Sequence, residues 1–128
     1  MQSDTTANGT IENWTPQEVA QAHAENRIVL IDVRTPQEYA FERISGALLL
    51  PMQEFDADHL PDPNMGKPVV FHCGSGVRSR KMAEAALAAG WDKAAHMEGG
   101  FGAWKQSGQT YIGTDMSNGA PKTMAQPG

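Results

Sequence analysis

The sequence has little cysteine, little positive charge and no long apolar run, and each shortage excludes a class of protein. Its single cysteine cannot form an intramolecular disulfide, which excludes a secreted scaffold stapled by disulfides. Nowhere do about eighteen apolar residues follow one another, and the opening MQSDTTANGT lacks the basic and apolar segments of a secretory signal. We therefore expect no membrane span, and the cytoplasm is the expected location.

The charge balance excludes a further set of partners. The chain carries 15 acidic and 10 basic residues, for a formal net charge of −5. Nucleic acids and anionic membrane surfaces attract clustered positive charge, so neither is an expected partner. A length of 128 residues suits one domain, large enough to bury a core without a structural metal. Any anion-binding site in this chain must be local.

Apolar runs alternate with helix-like segments, and this alternation indicates an α/β fold with a parallel sheet. The pattern predicts strands at 28–33, 47–50, 68–72 and 94–97, and helices at 16–25, 36–41, 53–59, 79–89 and 100–106. The expected architecture is a single domain with a central parallel sheet of four to five strands and helices on both faces. We place this domain at 11–108, between a flexible N-terminal tail at 1–10 and an extended or flexible C-terminal tail at 109–128.

The stretch HCGSGVRS, at 72–79, has the composition of an anion-binding loop. Cys73 ends a predicted strand, and a predicted helix follows, so unpaired amides at the helix start would face the thiol. Gly74 and Gly76 permit the backbone angles that curl successive amides around an anion. Such surroundings lower a thiol pKa and favour the thiolate, which predicts that Cys73 is a nucleophile.

The rest of the loop offers further donors. Arg78 can present a planar, permanently charged guanidinium to an oxyanion, and the Ser75 and Ser79 hydroxyls can donate to the thiolate or to a substrate. Each residue also has a structural alternative. Ser79 is equally suited to cap the helix, Arg78 to be a solvated residue at the helix start, and Cys73 to be a buried small apolar side chain.

Nothing in the sequence indicates a metal or another cofactor. The loop lacks the lysine and spacing of a nucleotide-binding P-loop, and His72 would point to the opposite face of its strand from Cys73. His23, His59 and His96 have no spacing that makes a metal cluster, so we interpret them as surface or hydrogen-bonded structural residues. The sequence assigns no histidine as a base for Cys73.

Four segments carry a resemblance to a known family. They are IDVRTPQEY at 31–39, ISGALLLP at 44–51, VVFHCGSGVRS at 69–79 and GWDKAAHMEGGFGAW at 90–104. In order and spacing they resemble single-domain rhodaneses, the thiosulfate sulfurtransferase-like family, across 15–108. The resemblance implies a rhodanese-like domain in which Cys73 takes a sulfane sulfur from thiosulfate or a persulfide. Cys73 would hold this sulfur as a persulfide and pass it to cyanide or a thiol, including a thiol of a partner protein.

Loop length separates two branches of this resemblance. The six-residue active loop of the sulfurtransferases corresponds to Cys73, Gly74, Ser75, Gly76, Val77 and Arg78, with Ser79 directly after it. The related phosphatases place five residues between cysteine and arginine, whereas four intervene here. A shorter ring of amides fits a terminal sulfur better than a tetrahedral phosphate, so sulfur is the favoured cargo. The alternatives are a cysteine phosphatase or arsenate-reductase-like enzyme, and a non-enzymatic sulfur-relay or interaction module.

Residues outside the loop complete these expectations. Asp32 matches a family aspartate that would support the loop, and Arg34 is expected to form a structural ion pair with Glu38. Many family members have a basic residue where this chain has Gly74, which predicts that thiosulfate, a dianion, is a poor donor here. The segment GGFGAW at 99–104 is interpreted as a turn followed by core residues.

Overall fold

The computed structural model describes residues 1–56, 60 and 66–125, which form an α/β fold. The strands are β1 Gln2–Thr6, β2 Gly9–Trp14, β3 Val29–Asp32, β4 Leu48–Leu49, β5 Val69–His72, β6 Lys93–Met97, β7 Tyr111–Thr114 and β8 Pro121–Met124. The helices are α1 Pro16–Ala24, α2 Pro36–Phe41, α3 Val77–Ala88 and α4 Gly100–Gln106. A 3₁₀ turn spans Met52–Glu54.

The central sheet has the strand order β1-β2-β6-β5-β3-β4. Only β1 runs antiparallel to its neighbour, so the sheet is mostly parallel, as predicted. It has six strands where four to five were expected, because residues 2–14 add β1 and β2. The polar β1 sequence QSDTT leaves four of its five residues exposed, so it carries no apolar alternation by which the sequence could reveal it.

Helices cover both faces of the sheet, which confirms the predicted layers. On one face Met82, Ala83 and Ala86 of α3 pack against Phe71 of β5, in the same buried cluster as Cys73. The second buried cluster lies on the other face and combines residues of α1 and α4 with Leu30, Val70 and Met97 among others. The carboxyl ends of β5 and β6 therefore lie between packed helices, where the Cys73 loop begins.

The helices predicted at 16–25 and 36–41 are present as α1 and α2, and both begin with a capping box. Thr15 and Thr35 each accept a hydrogen bond from the backbone of the glutamate three residues on, and that glutamate binds back to the threonine amide. The helix expected at 53–59 is reduced to the 3₁₀ turn over its first residues, and 57–59 lie outside the described residues. None of the helices in the described ranges is long and apolar enough to cross a membrane.

Both segments predicted as tails contain strands in the structure. At the N-terminus β1 pairs along its full length with β2, and after α4 the strands β7 and β8 form a second, two-stranded sheet. Tyr111 of β7 is buried and packs edge-on against Phe101 at a ring-centroid distance of 5.5 Å. The flexible character expected at 1–10 and the extended or flexible character expected at 109–128 stay predictions. The domain limits at 11 and 108 stay a prediction.

Candidate active site

Cys73 directly follows β5, and its sulfur lies beneath the first residues of α3. The residue exposes none of its surface. Sγ accepts hydrogen bonds from the amides of Gly76 at 3.1 Å and Ser79 at 3.3 Å. Gly76, with φ +99°, occupies the N-cap position of α3, and this left-handed conformation turns its amide toward the sulfur. The predicted convergence of helix-start amides on the thiol is present.

These contacts set the ionisation of the thiol. Burial raises the pKa of Cys73, but hydrogen bonds from the Ser79 amide and hydroxyl and from the Ser75 and Gly76 amides lower it. The net result is a pKa below the ordinary thiol value. Since the amides stabilise only the charged form, they favour a thiolate at the base of the loop.

The start of α4 holds the loop from the opposite side. The Phe101 amide donates to the Cys73 carbonyl at 2.7 Å, and the Gly102 amide donates to the Gly74 carbonyl at 3.1 Å. A Cβ on Gly100, whose φ is +60°, would lie 2.4 Å from the Cys73 carbonyl oxygen. The segment 99–104, interpreted from the sequence as turn and core, therefore also fixes the backbone of the active loop.

Arg78 is bound by a carboxylate, which corrects the predicted partner of Glu38. The guanidinium donates to Glu38 Oε1 at 2.7 Å and to Oε2 at 3.0 Å, and this pairing holds the pKa of Glu38 at about 2. The expected pair of Arg34 with Glu38 was wrong. A spacing of four residues brings side chains together only inside a helix, and Arg34 precedes Thr35, the N-cap of α2.

Arg34 instead forms a buried pair with Asp32. Its guanidinium donates to Asp32 Oδ2 at 2.8 Å and to the Glu42 carbonyl at 2.6 Å. The same group lies over the ring of Phe101, 4.7 Å from the centroid. The Phe101 amide in turn binds the Cys73 carbonyl, so Arg34 is linked to the loop through α4, and Asp32 Oδ2 lies 3.6 Å from Nε2 of His72, the residue before Cys73. His72 points away from Cys73, as predicted, and stacks on Phe101.

Sequence reasoning missed a polar contact beside the sulfur. The Cys73 thiol donates to Ser79 Oγ at 3.6 Å, and Ser79 Oγ lies 2.9 Å from His96 Nδ1. His96 Nε2 lies 2.8 Å from Asn13 Oδ1. Asn13 and His96 face each other because β2 and β6 pair in register, and β2 was not predicted. His96 is hydrogen-bonded, as expected, but it lies one side chain from the thiol.

The loop borders an open cleft of about 610 Å³. Its lining includes Ser75, Gly76 and Val77 of the loop together with Arg80 and His96. Ser75 and Val77 are exposed, so among the predicted substrate-binding residues these two are accessible from solvent. The described residues contain no group of three or more His, Cys, Asp or Glu side chains placed to hold a metal ion.

Comparison by sequence identifies one family across most of the chain. The model of the rhodanese-like domain matches residues 15–107. The thiosulfate sulfurtransferase GlpE of Pseudomonas fluorescens is 32% identical over 92 residues, which cover 72% of this chain and 84% of that protein. An uncharacterized protein of Synechocystis is 35% identical over 114 residues, or 89% of this chain and 62% of its own length. The chain thus spans less than two thirds of that relative.

Comparison by structure gives the same fold. A rhodanese-related protein of Thermoplasma volcanium superposes with a TM-score of 0.68 at 21% identity, over 79% of this chain and 97% of the other. A protein of Rhodopseudomonas palustris, described as of unknown function and a possible tyrosine phosphatase, superposes with a TM-score of 0.65 at 32% identity. That match covers 76% of this chain and 81% of the other.

Proposed function

The chain belongs to the rhodanese-like domain family, and we propose that it is a sulfurtransferase that carries sulfane sulfur on Cys73. One observation carries this proposal: the Gly76 and Ser79 amides converge on a sulfur whose pKa is lowered. The relative named thiosulfate sulfurtransferase supports the reaction class. A free thiol persists in a reducing compartment, so we propose the cytoplasm as the location.

In the first half-reaction the Cys73 thiolate attacks the outer sulfur of a donor. A new S–S bond forms at Sγ, the S–S bond of the donor breaks, and the donor leaves with the bonding electron pair, as sulfite or as a thiolate. The terminal sulfur of the resulting persulfide carries the negative charge. The backbone amides of the loop from Gly74 to Ser79 supply the donors that stabilise this charge without a metal or a separate cofactor.

In the second half-reaction a nucleophilic acceptor, cyanide or a thiol, attacks the terminal sulfur. Its S–S bond to Cys73 breaks and the electron pair returns to Sγ as a thiolate. The Gly76 and Ser79 amides already point at this atom, so the leaving group is stabilised where it forms. Covalent catalysis in two steps predicts ping-pong kinetics.

The charges around the loop favour one kind of donor. Glu38 offsets the charge of Arg78, and Gly74 adds none, so within the described loop from Cys73 to Arg78 a dianion such as thiosulfate meets no unpaired cation. We therefore propose that a persulfide, which carries a smaller charge, is the better donor, including one on a partner protein. Ser75 and Val77 are the loop residues that such a partner would meet first, since both are exposed.

A phosphatase or arsenate-reducing activity is the second candidate, suggested by the description of the Rhodopseudomonas palustris protein. Two observations weigh against it. Only four residues separate Cys73 from Arg78, and the Arg78 guanidinium is bound to Glu38, so it does not line the anion site. The third candidate is a relay or interaction module that accepts sulfur without turnover of small substrates.

Steady-state kinetics separate the three candidates. We expect the protein to convert cyanide to thiocyanate with either a persulfide or thiosulfate as donor. The kcat/KM should be lower for thiosulfate, and the kinetics should be ping-pong. The Cys73→Ala variant should lose this activity. Hydrolysis of p-nitrophenyl phosphate without sulfur transfer would replace the proposal by the phosphatase. If Cys73 takes up one sulfur atom but neither cyanide nor a thiol supports turnover, the relay module would replace the proposed sulfurtransferase.

A further inference from the structure

A hydrogen-bonded chain of side chains runs from the Cys73 sulfur to the edge of the sheet. It continues from Ser79 and His96 to Asn13, whose Nδ2 donates to Asp4 Oδ2 at 2.9 Å. Ser79 is fully buried, and His96 and Asn13 expose only 5% and 7% of their surfaces. The reaction proposed above does not use the side chains of His96, Asn13 or Asp4, so their alignment needs another explanation.

Asp4 fixes the direction of every hydrogen bond in this chain. A carboxylate only accepts, and Asp4 also takes a hydrogen bond from Arg80 at 2.6 Å, which lowers its pKa further. The Asn13 amide must therefore turn its NH₂ toward Asp4 and its oxygen toward His96. Because that oxygen accepts, Nε2 of His96 carries the proton, and Nδ1 is left as the acceptor.

The same logic sets the orientation of Ser79. With the proton on Nε2, Nδ1 of a neutral His96 can only accept, so the Ser79 hydroxyl donates to it over the 2.9 Å contact; the Gly76 carbonyl oxygen, a second acceptor for that hydroxyl, lies farther away at 3.2 Å. The lone pairs of Ser79 Oγ are then available for the Cys73 thiol, which lies 3.6 Å away. All donors point in one direction, from sulfur to imidazole.

We propose that His96 accepts, through Ser79, the proton that Cys73 loses when it becomes a nucleophile. The S–H bond breaks and its proton passes to Ser79 Oγ, while the Ser79 hydroxyl proton passes to His96 Nδ1. The products are a thiolate and an imidazolium, with no change in total charge and no oxidation. His96 does not touch the sulfur and acts only through Ser79.

Two features of the site support this transfer. Burial, followed by the nearby Arg80 charge, lowers the pKa of His96, which keeps the ring neutral before the transfer but opposes the imidazolium; Asp4 has the opposite effect and stabilises the imidazolium. After the transfer, the Ser79 hydroxyl points at the sulfur and joins the two amides around the thiolate. The charged side chains that share the cleft with His96 are Asp4 on β1, Arg80, Lys81 and Glu84 on α3, and Glu98 after β6.

The proposal rests on Cys73 being the nucleophile of the proposed function, but its test requires no sulfur transfer. Iodoacetamide alkylation of Cys73, followed by intact mass across a range of pH, reports the thiolate directly. Absence of a persulfide would overturn the sulfurtransferase and leave this alkylation profile unaffected. The two claims therefore fail separately.

We expect His96→Gln and Ser79→Ala each to slow alkylation near about pH 6 by about tenfold, the factor that one unit of thiol pKa represents. At high pH, where the thiol ionises without help, both variants should match the unmodified chain. If the two residues act as one path, the double variant will be no slower than either single variant. His23→Gln is the matched control, since His23 Nε2 lies 2.7 Å from the Ser45 carbonyl oxygen, outside the Cys73 site, and the variant should leave the profile unchanged.

An unchanged dependence of the alkylation rate on pH in His96→Gln would overturn the proposal. A double variant whose alkylation rate falls by the product of the two single-variant factors would also overturn it. The tautomer gives a second test that uses the chain without substitutions. Nitrogen-15 chemical shifts of the histidine rings should show neutral His96 protonated at Nε2. A proton on Nδ1 would reverse the direction of the Ser79 hydrogen bond and overturn the proposal even if the variants do not fold.

Discussion

Replacing Gly100 with alanine should displace the active loop, because the two backbones are in direct contact. The new Cβ would lie 2.4 Å from the Cys73 carbonyl oxygen and 2.7 Å from the Ser75 nitrogen. Carbon and oxygen atoms at that separation must move apart by roughly 1 Å to reach ordinary contact distance. The hydrogen bond from the Phe101 amide to the Cys73 carbonyl spans this contact and would weaken.

The loss of unfolding free energy expected in Gly100→Ala has two contributions. A left-handed φ costs an alanine about 1 kcal/mol, and a weakened hydrogen bond costs about 1 kcal/mol more. Gly119→Ala is the matched control, since Gly119 has φ +74° but, among the described residues other than its two chain neighbours, none comes within 4 Å of an added Cβ. We therefore expect Gly100→Ala to lose about 2 kcal/mol or more of unfolding free energy, and the control about 1 kcal/mol.

Urea unfolding measures the stability difference, and the pH midpoint of Cys73 alkylation measures the effect on the site. The midpoint should rise in Gly100→Ala, because a displaced loop holds its amides farther from Sγ, and should stay unchanged in Gly119→Ala. Equal unfolding free energies and equal alkylation midpoints in the two variants would refute the claim that α4 fixes the loop.

Two further predictions concern charges near the site. Burial lowers the pKa of His72 to about 4, so the unfolded chain binds an extra proton as pH falls from about 6.5 to 4 and the native state loses up to about 3 kcal/mol. The unfolding free energy of His72→Leu should lose that pH dependence in urea titrations, and a parallel curve for both proteins would contradict the assignment. Glu38→Gln should free Arg78 and lower the KM for thiosulfate by about threefold, a typical gain from one partly exposed charge contact. The KM for an organic persulfide is the control, and an unchanged ratio of the two KM values would show that Glu38 does not limit the anion site.

Local signals predicted much of the fold correctly. The capping boxes at Thr15 and Thr35 and the apolar face of α3 form between neighbours within a few residues, which is why the helices expected at 16–25, 36–41 and 79–89 appear in the structure. The Cys73 loop is equally local, and its glycines and following helix appear as expected. By contrast, β1 consists of polar residues on a sheet edge, where pairing and not apolar burial holds the strand.

The contacts that sequence reasoning missed join residues far apart in the chain. Asn13 meets His96 across 83 positions, and Arg78 meets Glu38 across 40. Both contacts depend on which strands and helices are neighbours, and the six-stranded order was not predicted. The sequence analysis paired Glu38 with Arg34 of the same segment, whereas the fold places Arg78 of the active loop beside Glu38.

The central claim is that Cys73 holds a transferable sulfur, and intact mass tests it most directly. The protein is incubated with a persulfide or thiosulfate donor and separated from it. Its intact mass is then measured by mass spectrometry before and after addition of cyanide. We expect a gain of one sulfur atom that cyanide removes as thiocyanate, and no gain in Cys73→Ala. An unmodified mass with every donor, or a sulfur adduct that persists in Cys73→Ala, would contradict the account.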